Sequence, residues 1–352
     1  MQTLNISLNS LRGKSAATRL SHRLVWCAII IGFVVIILGA FTRLRDAGLG
    51  CPDWPTCYGH ILWPQAQHEI HAANQAFPDT PVETDKTWPE MVHRYFASGL
   101  GLFILAIFVI GLIHRRQDHP LGLPILLVGI VILQGMFGMW TVTLKLWPQV
   151  VTAHLLGGFT TLSLLWLLAQ NLGNYRWYLP TSARVQLNKL KPWSLLLLLI
   201  VIAQIILGGW TSSNYAALAC PDFPTCQQVW LPPADFTNGF NFFQNIGPNY
   251  LGGQLDGAAR IAIHFVHRVG AAVTTVSILL ICLALWLTNA KVVRRFVFLL
   301  LSVLLVQVLL GISNVLFSLP LPVAVAHNAV AACLLLTVIT LNHRIFSMRA
   351  LL

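Results

Sequence analysis

Charge is what this chain has least of. Only 9% of its 352 residues are Asp, Glu, Lys or Arg, and only 11 are acidic, while 56% are hydrophobic. With a mean hydropathy of +0.72, so little polar surface excludes a soluble globule and defines a polytopic membrane protein. The net charge of +11 does not indicate nucleic acid binding. The basic residues fall in short clusters between apolar runs, with no single patch of interleaved aromatics, so they read as a topology signal. Residues 1–23 hold no acid and no small-residue cleavage pattern follows the first apolar run, so the reading is a cytoplasmic tail rather than a transit peptide.

Apolar runs long enough to span a bilayer lie at about 24–41, 92–113, 121–144, 150–169, 193–212, 261–287, 296–317 and 322–341. The expected fold is therefore all-α and polytopic, with eight transmembrane helices. Short basic loops stay in the cytoplasm, and His114-Arg115-Arg116, the segment with Arg176, Arg184, Lys189 and Lys191, the turn with Lys291, Arg294 and Arg295, and the tail with Arg344 and Arg349 all agree. Both termini are expected inside, in a bacterial cytoplasmic membrane. The loops 43–91 and 213–260, which hold most of the acids, are expected outside.

The chain repeats itself. Gly39-Ala40-Phe41-Thr42 returns as Gly208-Gly209-Trp210-Thr211, and Cys51-Pro-Asp-Trp-Pro-Thr-Cys57 as Cys220-Pro-Asp-Phe-Pro-Thr-Cys226, both 169 positions on. His93 matches His267, Gln134 matches Gln307, Gly138 matches Gly311 and His154 matches His327 at nearly the same offset. The expected organisation is a tail (1–23), a four-helix bundle (24–170), a cytoplasmic linker (171–193), a second bundle (194–341) and a tail (342–352). A parallel repeat places the two bundles about a pseudo-twofold axis along the membrane normal.

Twelve histidines divide by position. His22, His114, His119 and His343 adjoin cytoplasmic basic segments, and His60, His68 and His71 sit in the first outer loop, where no ligand role is needed. His93 and His154, and again His267 and His327, recur at one depth near the outer ends of neighbouring helices. Ionisable groups at that depth mark ion paths, relays or ligand sites. Two imidazoles in one bundle supply both axial ligands of a haem, and Arg94 and Arg268 stand where haem propionates would meet them. Glu90 precedes His93 by three residues and shares its helical face. It is a candidate proton acceptor, against the simpler role of an acid at a helix N-terminus. In the second copy His264 takes its place.

The two Cys-x5-Cys loops are expected to close as local disulfides, Cys51 with Cys57 and Cys220 with Cys226, in an oxidising compartment. A staple is the simpler role. For Cys51 and Cys57 an electron relay stays open. Cys27, Cys282 and Cys333 lie in apolar runs and read as small packing residues.

The tandem repeat, Glu90-x-x-His93-Arg94, His154 in Thr-Ala-His-Leu-Leu-Gly, the His267-Arg268 echo, His327 in Val-Ala-His-Asn and the outer cysteine pairs together resemble the haem A synthase family across about 24–341. The resemblance implies oxidation of a methyl group of haem O to a formyl group. It implies His93 and His154 around the substrate haem, His267 and His327 around a haem b cofactor, and Glu90 in catalysis. Implied partners are haem O itself, the farnesyltransferase that makes it, terminal oxidase assembly factors and membrane lipid, with room for a homo-oligomer. Two rival readings are a quinol-linked di-haem electron carrier, which gives no reason for Glu90 and His264 to differ, and a transporter, which expects broken helices near the midplane.

Overall fold

The computed structural model describes residues 15–114 and 121–351. Eight helices are long and apolar enough to cross a membrane: α1 (Ala16–Leu44), α3 (Thr84–Ile113), α4 (Gly122–Thr143), α5 (Pro148–Gly173), α7 (Lys191–Ser213), α9 (Gly257–Trp286), α10 (Lys291–Leu316) and α11 (Leu321–Ser347). Between them lie α2 (Gln67–Ala76), α6 (Thr181–Lys189) and α8 (Phe236–Gly239). A two-residue strand β1 (Tyr178–Leu179) pairs in parallel with β2 (Arg349–Ala350). The expected all-α, eight-span fold is present. Arg12, Lys14, Arg115, Arg116 and His119 fall outside the described residues.

Helix ends follow local chemistry rather than hydropathy, so the observed bounds outrun the apolar runs. The first helix starts at Ala16 instead of 24 because the Ser15 hydroxyl accepts from the Thr18 amide at 3.2 Å. The last helix continues past 341 to Ser347, and the segment beyond it pairs with the 171–193 linker, which is itself largely structured. Proline occupies the first turn of α5, α7 and α11, where a missing N–H costs nothing. Asn174 ends α5 in the left-handed region. Asp256 caps α9 through the Ala259 amide at 2.8 Å.

Helix neighbours are the same in the two halves. In the first, α1 packs on α3 and α5, and α4 on α3 and α5; in the second, α7 packs on α9 and α11, and α10 on α9 and α11. The halves meet through α1 on α11, α5 on α7 and α5 on α11. Exchanging the halves leaves this contact pattern unchanged. At the C-terminal ends of α1 and α7, the Arg43 guanidinium donates to the Ser212 carbonyl at 2.6 Å and lies over the Tyr215 ring, whose hydroxyl donates to Asp46 at 2.8 Å. Ser212 is the repeat counterpart of Arg43, and Tyr215 of Asp46.

Lipid tails are as apolar as leucine, so burying aliphatic surface does little to hold such helices together. Close packing and interhelical hydrogen bonds do more. One apolar core runs through both halves, from Val25, Ile104 and Leu165 to Leu197, Ile278, Leu300 and Val338. Large residues such as Leu102, Leu199, Leu280 and Leu305 face outward, as a lipid-facing belt requires. A methyl group on Gly209 would lie 3.2 Å from the Thr152 side chain, so the glycine brings α7 close to α5. There Thr152 and Ser213 share a hydrogen bond of 3.1 Å. At the other end, Ser194 and Asn342 exchange two buried bonds, the Ser194 hydroxyl donating at 3.0 Å and the Asn342 amide donating to the Ser194 carbonyl at 3.0 Å. Asn342→Ala removes both interhelical bonds, leaving the Ser194 hydroxyl only the Lys191 carbonyl of its own helix, and should cost about 1 kcal/mol, read as a lowered thermal midpoint of the detergent-solubilised protein.

Candidate metal-macrocycle sites

Proline 89 sits inside α3 and cannot donate to the carbonyl four residues back, which loosens the helix just before the site. Its own carbonyl accepts from Thr42 at 3.2 Å, tying α3 to α1. One turn further in, the His93 ring from α3 faces the His154 ring from α5. Their centres are 6.3 Å apart and their planes stand at 87°. In the second half His267 comes from α9 and His327 from α11, on the matching helices.

Each imidazole lies against a glycine of a neighbouring helix. A methyl group on Gly39 would stand 3.0 Å from Cε1 of His93, on Gly138 3.6 Å from that of His154, on Gly208 3.3 Å from that of His267, and on Gly311 3.1 Å from that of His327. The missing side chain opens a helix carbonyl one turn back: that of Val35 faces His93 and that of Gln307 faces His327. Nδ1 of His93 and of His154 is buried without a hydrogen-bond partner. Gln204 Nε2 lies 3.1 Å from Nδ1 of His267, and Gln307 Nε2 lies 3.2 Å from Nε2 of His327.

These features fit a haem. A metal between two imidazoles needs roughly 2 Å for each bond and roughly 1 Å from each nitrogen to its ring centre, about 6 Å in all, which is the His93–His154 separation. Two nitrogens per site complete a metal whose other positions are filled by a macrocycle.

Glu90 is 5% exposed. Its carboxylate accepts from the Cys51 amide at 3.0 Å and from the Arg94 guanidinium. The rest of Arg94 donates to the carbonyls of Asp53 (3.2 Å), Pro55 (3.2 Å) and Thr56 (2.8 Å). His264 occupies the same place in the second half: the Cys220 amide approaches its Nδ1 at 3.2 Å and Arg268 Nε its Nε2 at 3.2 Å. Arg268 also donates to Asp222, Thr225 and Cys220 carbonyls at 2.7, 2.8 and 2.6 Å. A carboxylate satisfies both donors at once, whereas a neutral imidazole has one lone pair and satisfies one. The arginines, expected at propionates, are thus loop clamps that hold each cysteine loop against the helix carrying a candidate ligand.

Both loops are closed, Cys51 to Cys57 and Cys220 to Cys226. Any side chain at Gly50 would collide with the Lys86 carbonyl, so the chain enters the first loop pressed against α3. Inside that loop Asp53 accepts from the Thr56 hydroxyl (2.5 Å) and from the Tyr58 (2.5 Å) and Gly59 (2.9 Å) amides. Burial works against its charge, but these bonds outweigh it and hold the carboxyl below the usual range. Asp222 repeats the arrangement with Thr225, Gln227 and Gln228. Burial, with the charges of Glu83, Asp53 and Glu90, pushes the Tyr58 hydroxyl up to about 12, so it stays a donor to Thr80 and Pro81 carbonyls.

The loop at 214–256 reaches over the first half. Trp147 and Gln149, at the α4–α5 turn, donate to the Gln244 and Phe242 carbonyls at 3.0 and 3.1 Å, and the Tyr250 amide donates to the Lys145 carbonyl at 3.0 Å. Sequence reading missed this cover, the four cradle glycines, Gln204 and the clamp role of the arginines. One signal was present: Gln-x3-Gly occurs at 134–138, 204–208 and 307–311, with Val35-x3-Gly39 as the fourth member.

The fold and the site define an integral membrane protein with two matched pairs of partly buried histidines. Residues 22–339 match the family model described as COX15-CtaA, cytochrome oxidase assembly protein, and the chain belongs to that family. A protein of Shewanella oneidensis named heme A synthase is 46% identical over 321 residues, which is 90% of this chain and 93% of the relative. Proteins of the same name from Nitrosospira multiformis (30% identical, 91% of each chain) and a Chelativorans species (29% identical, 88% of this chain and 87% of the relative) also match.

The Asp53 hydrogen bonds are present when its carboxyl is ionised. Since its folded value lies below the unfolded one near 3.9, its stabilisation is full above about pH 4 and is lost as pH falls through the folded value. Reduction of Cys51–Cys57 by a phosphine should accelerate over that acidic range, and Asp53→Ala should accelerate it about tenfold at neutral pH.

Proposed function

We propose that the protein is a haem A synthase, which oxidises a methyl group of haem O to the formyl group of haem A for terminal oxidase assembly. The observation that carries the proposal is the pair His93 and His154, 6.3 Å apart, with the buried carboxylate of Glu90 three residues before His93 on the same chain segment. The family membership and the relatives named heme A synthase support it. Two bundles, at about 24–170 and 194–341, are related by a pseudo-twofold axis along the membrane normal; the matching helix neighbours and the pairing of Arg43 and Asp46 with their own repeat counterparts support this. Both termini lie in the cytoplasm, the haem sites lie towards the outer face, and the membrane is the bacterial cytoplasmic membrane.

In this reading His93 and His154 hold haem O as substrate, while His267 and His327 hold haem b. Bound there, haem b supplies one-electron transfer. The protein's own part is to fix, shield and neutralise. The glycine cradles orient the imidazoles, and the second outer loop covers the α4–α5 turn next to His154. Glu90 brings an anion to the edge of the first site, where it stabilises positive charge developing next to the oxidised carbon or takes up the proton released there. Its bonds to the Cys51 amide and Arg94 keep it in place beforehand. His264 offers no anion at the matching point, which suits a half that only passes electrons. Arg94 and Arg268 share haem propionates with the loop carbonyls they clamp. Cys51–Cys57 and Cys220–Cys226 act as staples. Haem O arrives from the farnesyltransferase that makes it, and haem A leaves towards oxidase assembly factors.

Haem extracted from the purified wild-type protein should contain haem b together with haem O, a hydroxylated intermediate or haem A. Haem b alone would instead mark an electron carrier. Glu90→Ala should retain haem while the yield of haem A falls by about a hundredfold or more, the usual effect of losing a positioned acid–base group; an unchanged yield would remove Glu90 from the chemistry.

A further inference from the structure

At the end of the bundle away from the paired histidines, about 20 Å along α1 from Gly39, a partly open cavity of about 230 Å³ lies between α1, α11 and the end of α5. It sits on the seam, since α1 and α5 belong to the first half and α11 to the second. Its wall is largely aromatic. Trp26 and Trp166 meet edge to face with ring centres 5.5 Å apart, and Tyr175 completes that side. Several polar groups there are matched: Trp26 donates to His22 at 3.3 Å, Trp166 and Gln170 donate to the Thr340 hydroxyl at 2.8 and 2.9 Å, and that hydroxyl donates to the Leu336 carbonyl at 2.8 Å. Two groups are left over. Gln170 is 3% exposed, and its Oε1 has no hydrogen-bond partner. The Arg344 guanidinium lies over the Tyr175 ring at 5.6 Å, and among the described residues it makes no hydrogen bond and no ion pair.

No described side chain can supply the missing anion. Apart from Asp118, which falls outside the described residues, every Asp and Glu lies in the loops 43–91 and 213–260, which lead into the histidine-bearing ends of α3 and α9. The repeat sharpens the point. At the offset that carries His154 to His327, Gln170 corresponds to His343 and Asn171 to Arg344. His343 Nε2 and Asn171 Oδ1 lie 3.0 Å apart, so that side of the seam is closed by a direct bond. Gln170 and Arg344, the counterpart pair, make none.

A cation and a buried acceptor on one aromatic wall specify the chemistry of a ligand. The ring of Tyr175 engages the face of the guanidinium and leaves its in-plane N–H groups open, a fork that matches a phosphate. The Gln170 oxygen needs a donor, which a hydroxyl close to that phosphate would provide. Tryptophan and tyrosine at a helix end suit the level where headgroup meets acyl chain. A free phosphate offers nothing to the aromatic wall, and a choline headgroup offers no donor. We propose that this cavity binds the headgroup of one phosphatidylglycerol molecule, its phosphate on Arg344 and a glycerol hydroxyl on Gln170. Basic pockets between transmembrane helices recognise acidic lipids in this manner. The lipid ties α11 of the second half to α1 and α5 of the first, on the side of the seam where the chain makes no bond of its own between 170 and 344.

The test uses the full-length protein, stripped of lipid in detergent, and native mass spectrometry of lipid adducts. Dioleoyl phosphatidylglycerol should give one saturable adduct, bound about tenfold more tightly than phosphatidylcholine with the same chains. Arg344→Gln should weaken that adduct about tenfold and Gln170→Leu about fivefold. Arg349→Gln, which removes an exposed cation from β2 just beyond the same helix, should leave it unchanged. Variants are compared only when they elute as a single species with wild-type circular dichroism, and the comparison of lipids on the wild type needs no variant. Equal affinity for the two lipids, displacement of phosphatidylglycerol by equimolar inorganic phosphate, unchanged binding in both cavity variants, or an equal loss in Arg344→Gln and Arg349→Gln would each overturn the proposal.

Discussion

The physical constraint on these histidines is that a polar ring inside a membrane protein is costly without partners, and each of the four is held against a glycine of a neighbouring helix. An unmatched donor is costly in such a medium. A helix has no spare donors or acceptors in its middle, but its carbonyls have a second lone pair. Removing one Cβ exposes it. The glycines at 39, 138, 208 and 311 are therefore as much a part of the sites as the histidines, because any larger residue would push the ring away from the neighbouring helix. Depth, spacing and ring direction all follow from where these four glycines fall on α1, α4, α7 and α10.

A second layer of constraint comes from outside the bilayer. The cysteine loops are tight because an aspartate inside each gathers neighbouring donors, and they are anchored because an arginine from the ligand-bearing helix spends its donors on their carbonyls. Glu90 and His264 close the junction between loop and helix. The loops are thus tied to the helices that carry His93 and His267. The junction of the first loop at Glu90 lies a single turn of α3 from His93.

Much of this was legible in the sequence. Long apolar runs gave the eight spans, because that signal is carried by many residues at once, and the offset matches pointed to two halves. Glu90 and the four histidines stood out as ionisable groups at membrane depth. Helix ends were misjudged by several residues at Ala16 and Ser347, since a serine cap and a strand pairing, not hydropathy, decide them. Arg94 and Arg268 were read by position alone, and position does not reveal that loop carbonyls compete for the same guanidinium. Gln204 was overlooked because a lone glutamine in an apolar run looks incidental until its glycine, four residues on, is seen against a histidine. The cover provided by Gln244 and Tyr250 was out of reach, being a contact between segments about a hundred residues apart with no pattern of their own.

The contacts at Arg43 and Asp46 have a further meaning. A residue that touches its own counterpart stands where a single four-helix unit, pairing with a second copy of itself, would meet an identical residue. An ancestor with arginine and aspartate at those places would set arginine against arginine and aspartate against aspartate. Serine and tyrosine at 212 and 215 remove that conflict, and they do so in one copy only. The seam is thus one-sided: the half with arginine and aspartate would repel its own twin there, and the half with serine and tyrosine answers it without like charges.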